Sequence, residues 1–389
     1  MVLSHISTTP YHFPHCPVPP DWALDWPALV QRFAWLRALD GVPQNPVYHA
    51  EGDVLTHTRM VVAALVSLDA WRSLPEPARA LLFAAALLHD VGKPATTRTE
   101  PDGRITSKKH AQVGAQMART LLYTGASIDT PVPFPQRETI VQLVRYHGLP
   151  LWALERADPQ REVITAGQMV RLDWLAILAE ADVRGRIAAD CPDLLVNIDL
   201  FREFCREQGC FGQPYAFAND QSRMDYFRTP GRDPAYAAYD NTSFEVLLLS
   251  GLPGAGKDTW LAANRPDLPV IALDALRAEL GVDPADDQGA VVQTAKARAR
   301  ELLRRRQPFA WNATNITRSL RRQLVDLFTD YGARACIVYV EALYAELLAR
   351  NQHRPAAAAV PEKVIQRLLR RLDVPDPTEA QRVEWVYQV

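Results

Sequence analysis

The run Gly251-Leu252-Pro253-Gly254-Ala255-Gly256-Lys257-Asp258-Thr259-Trp260 contains the residue types that can grip a chain of phosphates. Glycines let backbone N–H groups turn inward around an anion, a helix beginning there adds partial positive charge, and Lys257 can reach the terminal phosphates. The run follows an apolar stretch, 244–250, that reads as a buried strand, and it opens what reads as a helix. Strand, glycines, lysine and helix in that order predict a nucleoside triphosphate ligand, ATP or another. One position departs from the usual pattern: Asp258 stands where a hydroxyl residue ordinarily meets Mg²⁺, and the hydroxyl comes one residue later, at Thr259. Thr259 could serve the metal from there, with Asp258 facing solvent, capping the helix or holding Mg²⁺ indirectly.

A second set of residues carries different chemistry. His57, the adjacent pair His89-Asp90, His110, His147 and Asp182 fall at the ends or on the faces of apolar stretches. A single histidine in such a place is most often a core residue with its hydrogen bonds satisfied; four histidines and two carboxylates are not readily explained that way. Imidazole nitrogens and carboxylate oxygens suit Mn, Fe, Co, Ni or Zn, and Asp90 can turn toward the same point as its neighbour His89. By contrast, His12, His15 and Cys16 sit side by side on a proline-stiffened coil without ligand geometry, and read as part of an arm packed over the next domain.

The elements that must position these groups follow from periodicity. Residues 1–45 form the arm with an amphipathic segment at its end. Across 46–208, apolar residues recur at three- and four-residue spacing with few β-branched alternations, which predicts helices nearly throughout. His57 lies on one helix, His89-Asp90 at the end of the apolar run 81–88 closed by Gly92, and His110 at the start of the next. His147 follows the run 141–146, and Asp182 comes late in the run 174–181. Residues 209–243 turn to Gly, Pro, Tyr and Asp and predict an ordered connector, with Tyr226, Phe227, Tyr236 and Tyr239 needing somewhere to pack. From 244 to 389, short apolar strands at 244–250, 269–273, 309–311, 335–340 and 384–387 alternate with helices. That alternation predicts an α/β domain whose parallel sheet is covered on both faces, with its ligand at the carboxyl ends of the strands. Asp274 then ends the second strand at that rim, and Arg277 follows one turn later on the same side. The fold class is thus multidomain, an all-α domain followed by an α/β P-loop domain.

Composition bounds the rest. A chain of 389 residues with 48% hydrophobic and 23% charged content suits a globular protein of two or three domains. The net charge of -2 exerts no global pull toward nucleic acid, but arginines cluster within 298–306, 318–322 and 367–371. Each cluster reads as a solvated helix face or as a surface that tracks phosphates. The five cysteines have no paired spacing, and no run is apolar enough for a leader or a bilayer span. These features predict a cytoplasmic protein with reduced thiols and no membrane partner.

His57, His89-Asp90 and Asp182 resemble the His…His-Asp…Asp signature of HD-superfamily phosphohydrolases. Leu87-Leu88-His89-Asp90-Val91-Gly92-Lys93-Pro94 is similar to the form found in the HD domains of tRNA nucleotidyltransferases. The resemblance implies that the first His, the doublet and the distant Asp hold one metal. In binuclear relatives two further histidines hold a second metal and the doublet's Asp bridges; His110 and His147 fall where those belong, and Lys93 would neutralise a non-bridging phosphoryl oxygen. A second resemblance covers the last third of the chain. The glycine-lysine run is followed by Leu273-Asp274-Ala275-Leu276-Arg277 and Trp311-Asn312-Ala313-Thr314-Asn315. Arg350-Asn351-Gln352-His353-Arg354 with Val360-Pro361-Glu362-Lys363 complete the series, in the order of motifs in the polynucleotide 5′-hydroxyl kinase family. It implies Asp274 as general base, Arg277 as the holder of a substrate phosphate, and Arg354, with Arg350 as second candidate, as the lid arginine reaching the transferred phosphate.

The pairing resembles the bacterial fusion of these two modules that heals broken RNA ends. The expected function is therefore bifunctional. The HD module would remove a 2′,3′-cyclic or 2′ phosphate using one or two transition-metal ions. The P-loop module would use ATP or another NTP with Mg²⁺ to phosphorylate a 5′-OH, leaving RNA or DNA ends for a separate ligase. Two other readings stand beside it. In one, a nucleotidase is fused to a nucleoside or metabolite kinase; in the other, one module is silent and serves as an RNA-binding platform.

Overall fold

The computed structural model describes residues 12–125, 131–283, 286–354 and 359–387. The chain divides into two compact units, Met1–Ala216 and Phe217–Val389.

The first unit is built around the helix Glu76–Leu88, in which every residue from Ala80 to Leu88 is buried. Alanines and leucines favour helix, and a helix apolar on all sides belongs in the centre of its domain. Around it pack the helices Val54–Ser67, Phe134–Tyr146 and Leu172–Arg184, and the helix His110–Thr124 packs in turn on Phe134–Tyr146. Asp53 starts the first of these by accepting a hydrogen bond from the Thr56 N–H at 2.9 Å. Helix is not quite universal: a small antiparallel hairpin pairs Arg98–Thr99 with Ile105–Thr106 just before His110. The arm packs on this unit through aromatics. Phe13 sits 5.6 Å from Phe33 and 6.2 Å from Phe83, and Trp22 sits 5.5 Å from Trp71. His12 pairs at the surface with Glu76, and no metal-ligand cluster among the described residues includes His12, His15 or Cys16.

The second unit is a five-stranded, wholly parallel sheet of β1 (Phe244–Ser250), β2 (Val270–Ala272), β3 (Phe309–Asn312), β4 (Ala333–Glu341) and β5 (Arg382–Tyr387), in the order β2-β3-β1-β4-β5. Successive residues of β1 serve opposite faces: Val246 and Leu248 join one apolar cluster, Leu247 and Leu249 the other. That double burial is why the strand reads as a continuous apolar run rather than an alternating one. The second strand ends earlier than predicted. Leu273 already begins the helix Leu273–Leu280, so Asp274 lies in that helix's first turn rather than at a strand end. Part of the connector folds with this unit: Arg223 of the helix Asp220–Arg228 donates to the carbonyls of Pro377 and Gln381. Tyr226 and Phe227 do find packing partners, whereas Tyr239 is 87% exposed.

Candidate metal centre and nucleotide cradle

The six predicted ligands of the helical unit meet. His57 comes from the helix Val54–Ser67, the doublet from the turn ending the central helix, His110 and His147 from the start and end of two further helices, and Asp182 from the last turn of Leu172–Arg184. Gly92 makes one of these approaches possible, because a Cβ there would lie 2.3 Å from the carbonyl oxygen of His110. His57 Nε2 is 3.1 Å from Asp182 Oδ1 and 3.4 Å from His89 Nε2. His89 Nε2 lies 3.2 Å from Asp90 Oδ2, His110 Nε2 3.5 Å from Asp90 Oδ1, and His110 Nε2 3.2 Å from His147 Nε2. Asp90 thus stands between a His57–His89 group and a His110–His147 group, each with ligand atoms within 4.8 Å of one another.

The outer nitrogens define the protonation. Nδ1 of His89, His110 and His147 lies 2.7 to 2.9 Å from the carbonyls of Ala86, Ser107 and Val144, which can only accept, so each Nδ1 carries the proton. The Nε2 atoms then face one another, an arrangement in which neutral rings turn lone pairs on a cation between them; burial lowers His89, but the neighbouring Asp90 raises it overall. Among the described residues, buried Asp90 Oδ1 has no hydrogen-bond partner and fits the same conclusion. Burial would raise the Asp90 carboxyl, but Lys93 and His89 hold it well below the usual range; Arg186 and His57 do the same for Asp182. Burial pushes His147 down to about 3, with His110 and His89 adding to it, which keeps this imidazole neutral and able to ligate. Lys93 is buried rather than solvated, with Nζ 2.7 Å from Asp90 Oδ2 and 2.6 Å from Gln44 Oε1.

In the α/β unit the glycine run wraps the end of β1 and the helix Lys257–Asn264 begins at its lysine. The loop is anchored from β3: the Gly251 N–H donates to Thr314 O at 2.9 Å, Ser250 Oγ to Asn315 O, and Asn315 Nδ2 to Leu249 O. Lys257 Nζ turns back onto the carbonyls of Gly251 and Leu252, both at 3.0 Å. Burial lowers this lysine to about 8, with Asp258 and Asp274 opposing the shift and Arg354 adding to it. Asp274 and Arg354 therefore lie within electrostatic reach of the lysine. Arg277 Nη1 is 2.6 Å from Asp274 Oδ1, and Arg350 Nη1 would stand 3.5 Å from a Cβ on Gly256. Asp258 accepts from Asn312 Nδ2 at 2.5 Å, so it is turned toward the carboxyl end of β3. Thr259, projecting about 100° away on the same helix, instead lines a recess with Trp260, Val340 and Tyr387.

Two family models match the chain, an HD domain over residues 54–178 and an AAA domain over residues 246–375. The chain joins an HD domain to a kinase-like P-loop domain. A CC-adding tRNA nucleotidyltransferase of Thermus thermophilus is 33% identical over 156 residues, 39% of this chain and 31% of that protein. A multifunctional CCA protein of Halorhodospira halophila is 38% identical over 229 residues, 55% of this chain and 51% of that protein. The chain thus spans about a third to a half of the length of these curated relatives. Among solved structures, a gluconokinase from Sinorhizobium meliloti aligns with 39% of this chain and 84% of its own at 22% identity, with a TM-score of 0.27.

Around the HD cluster the structure adds three residues that sequence reasoning missed. Arg186 grips both Asp182 oxygens, at 3.1 and 2.5 Å, from just beyond the helix Leu172–Arg184 that carries Asp182. Gln44 and Glu51 come from the segment before the first HD helix, where no periodicity marks them. In the P-loop domain the missed partner is the Asn312 side chain, at the tip of β3.

Proposed function

We propose that the protein is a bifunctional enzyme that heals nucleic-acid ends, with RNA as its main substrate. The single observation that carries this reading is the presence of two distinct phosphate chemistries in one chain. One is a cluster of imidazole Nε2 atoms around a buried carboxylate oxygen without a hydrogen-bond partner among the described residues, and the other is a phosphate cradle with an acid-base residue at its rim. RNA cut by its own 2′-OH leaves a cyclic phosphate on one side and a 5′-OH on the other, and the two sites answer those two ends.

In the HD domain, His57, His89, Asp90 and Asp182 would hold one transition-metal ion and Asp90, His110 and His147 a second. Mn, Ni, Co, Fe or Zn all accept this donor set. Metals so held lower the pKa of a water and neutralise a phosphoryl oxygen. The chain's own contribution is to keep the imidazoles in the Nδ1–H form, to keep both carboxylates ionised, and to present Lys93 as a buried cation beside the shared carboxylate. That lysine neutralises charge on a 2′ or 2′,3′-cyclic phosphate.

In the P-loop domain, backbone N–H groups of Gly254 and Gly256 cradle the phosphates of ATP or another NTP, in a loop held in place by the Gly251 N–H bond to Thr314 O. Phosphoryl transfer requires alignment and neutralisation more than covalent help. Lys257, Arg350 and Arg354 supply positive charge, Asp258 and Thr259 at the start of the helix would hold Mg²⁺, and Asp274 accepts the proton of the attacking 5′-OH. Arg277, with Nη1 2.6 Å from Asp274 Oδ1, holds a substrate phosphate and orients Asp274. The Asp274 side chain is 87% exposed, which suits the end of a polymer better than an enclosed metabolite. A separate ligase would join the healed ends.

The test is an RNA bearing a 2′,3′-cyclic phosphate and a 5′-OH, incubated with ATP and a panel of divalent metals, with both ends identified afterwards. The Asp274→Asn variant is expected to lose 5′ phosphorylation by ~10²-fold or more while 3′-end hydrolysis continues; the His89→Ala, Asp90→Ala variant is expected to show the reverse. Retained phosphorylation in Asp274→Asn would remove that residue from the mechanism. Phosphorylation of free nucleosides but not of the RNA would replace this reading by the metabolite-kinase one.

A further inference from the structure

Glu51 lies ahead of the first HD helix, and its side chain is wholly buried. Its Oε1 is 2.9 Å from His57 Nδ1 and 2.8 Å from His49 Nδ1, and its Oε2 accepts the Ile187 N–H at 2.8 Å. The other three imidazoles of the cluster give their Nδ1–H to neutral main-chain carbonyls. His57 Nδ1 also lies 3.3 Å from a carbonyl, that of Gly185, but among the described residues it is the one of the four with an anionic acceptor as well, and that acceptor is nearer. A carboxylate behind a ligand imidazole fixes its tautomer and ring plane and makes its other nitrogen a stronger donor than a carbonyl does.

The same carboxylate acts on a second ligand. By holding the Ile187 N–H it fastens the turn that carries Arg186, and Arg186 in turn grips both oxygens of Asp182. Glu51 therefore braces His57 and Asp182 together, although one stands at the start of the domain and the other near its end. Among the described residues the His110–His147 side has main-chain carbonyls in place of such a brace, and the His110 side chain is 28% exposed. His49, Glu51 and His57 are themselves close enough to be read as a metal triad. Both Nδ1 atoms, however, lie at hydrogen-bond separation from one oxygen, and an ion there would require His57 to give up both of its nitrogens.

We infer that Glu51 is a positioning residue that makes the His57–His89–Asp182 side the tighter of two metal positions and the first to fill. This rests on the metal-binding reading of the HD domain given above, and the experiment separates the two. The whole two-domain chain, stripped with chelator, is titrated with diamagnetic Zn²⁺ alone and followed by calorimetry and by the ring ¹⁵N resonances of ¹⁵N-histidine-labelled protein. Wild type is expected to bind in two steps, with His57 and His89 shifting before His110 and His147. Glu51→Gln puts an amide against N–H donors, and is expected to weaken the first step by roughly 10- to 100-fold and to leave the second in place.

Should Glu51→Gln fail to fold, judged by circular dichroism of the metal-free chain, the order of filling in wild type decides alone. His110 and His147 shifting first, both sides shifting together, or Glu51→Gln titrating like wild type would each overturn the assignment. Binding of a third ion that Glu51→Gln abolishes would overturn it in favour of the metal triad. No binding by wild type would instead sink the metal reading itself, which a shift in order alone would not.

Discussion

Lys257 gives the nucleotide site a pH dependence that can be worked out in advance. Burial and the nearby Arg354 lower it to about 8, against the partial opposition of Asp258 and Asp274. A lysine with a depressed pKa is charged below that value and neutral above it, so the empty cradle loses its positive charge as pH rises through about 8. Bound phosphates supply an anion and keep the proton on the lysine to higher pH, so binding takes up a proton in this window. At pH 9 only about one lysine in ten is charged in the free protein, so ATP affinity falls roughly tenfold between pH 7 and pH 9, or about 1.4 kcal/mol. The assay is the Kd of ATP by calorimetry across pH 7 to 9.5, in buffers of different ionisation enthalpy so that proton uptake is counted directly. Lys257→Arg stays charged throughout and is expected to flatten the profile. A wild-type Kd that does not change above pH 8, or a Lys257→Arg profile that still falls, would refute the reasoning.

Two further outcomes follow from packing. Gly251 has φ +147°, and a Cβ there would lie 2.3 Å from the carbonyl oxygen of Val340 on β4. Gly251→Ala is therefore expected to cost the P-loop domain about 1–3 kcal/mol of stability and most of its ATP binding, read by thermal melting and calorimetry; unchanged affinity would contradict it. In the HD domain, Glu138 is buried between Arg119 and Arg137, with contacts of 2.8 and 2.9 Å. Glu138→Ala removes the buried carboxylate that both arginines share and is expected to destabilise that domain by about 3–5 kcal/mol in urea, whereas a loss under 1 kcal/mol would contradict it.

The phosphate cradle was legible because its parts are consecutive: strand, glycines and Lys257 need no long-range contact to be recognised. The HD ligands were legible by type and by position at helix ends, since imidazole and carboxylate at the rims of apolar runs have few bland explanations. Glu51 and Gln44 were not, because what gives them meaning is a partner far along the chain. Glu51 meets Ile187 and Gln44 meets Lys93 only after the helices have assembled. The misplaced strand end at Asp274 has a local cause. β2 is only three residues long and runs straight into a helix, so no apolar alternation distinguishes Leu273 as the first helical residue. Asp258 is a similar case, since its direction is set by Asn312 on a neighbouring strand.

The central helix of the HD domain has a consequence for how hydrolysis should fail under stress. His89 and Asp90 are mounted on the end of a deeply buried helix, not on a surface loop. Fraying at the periphery leaves such a mount untouched, so the amides of 82–88 should be among the last to exchange with deuterated solvent, through global opening alone. Heat would then extinguish hydrolysis in one cooperative step coincident with melting of the domain, with no gradual decline beforehand.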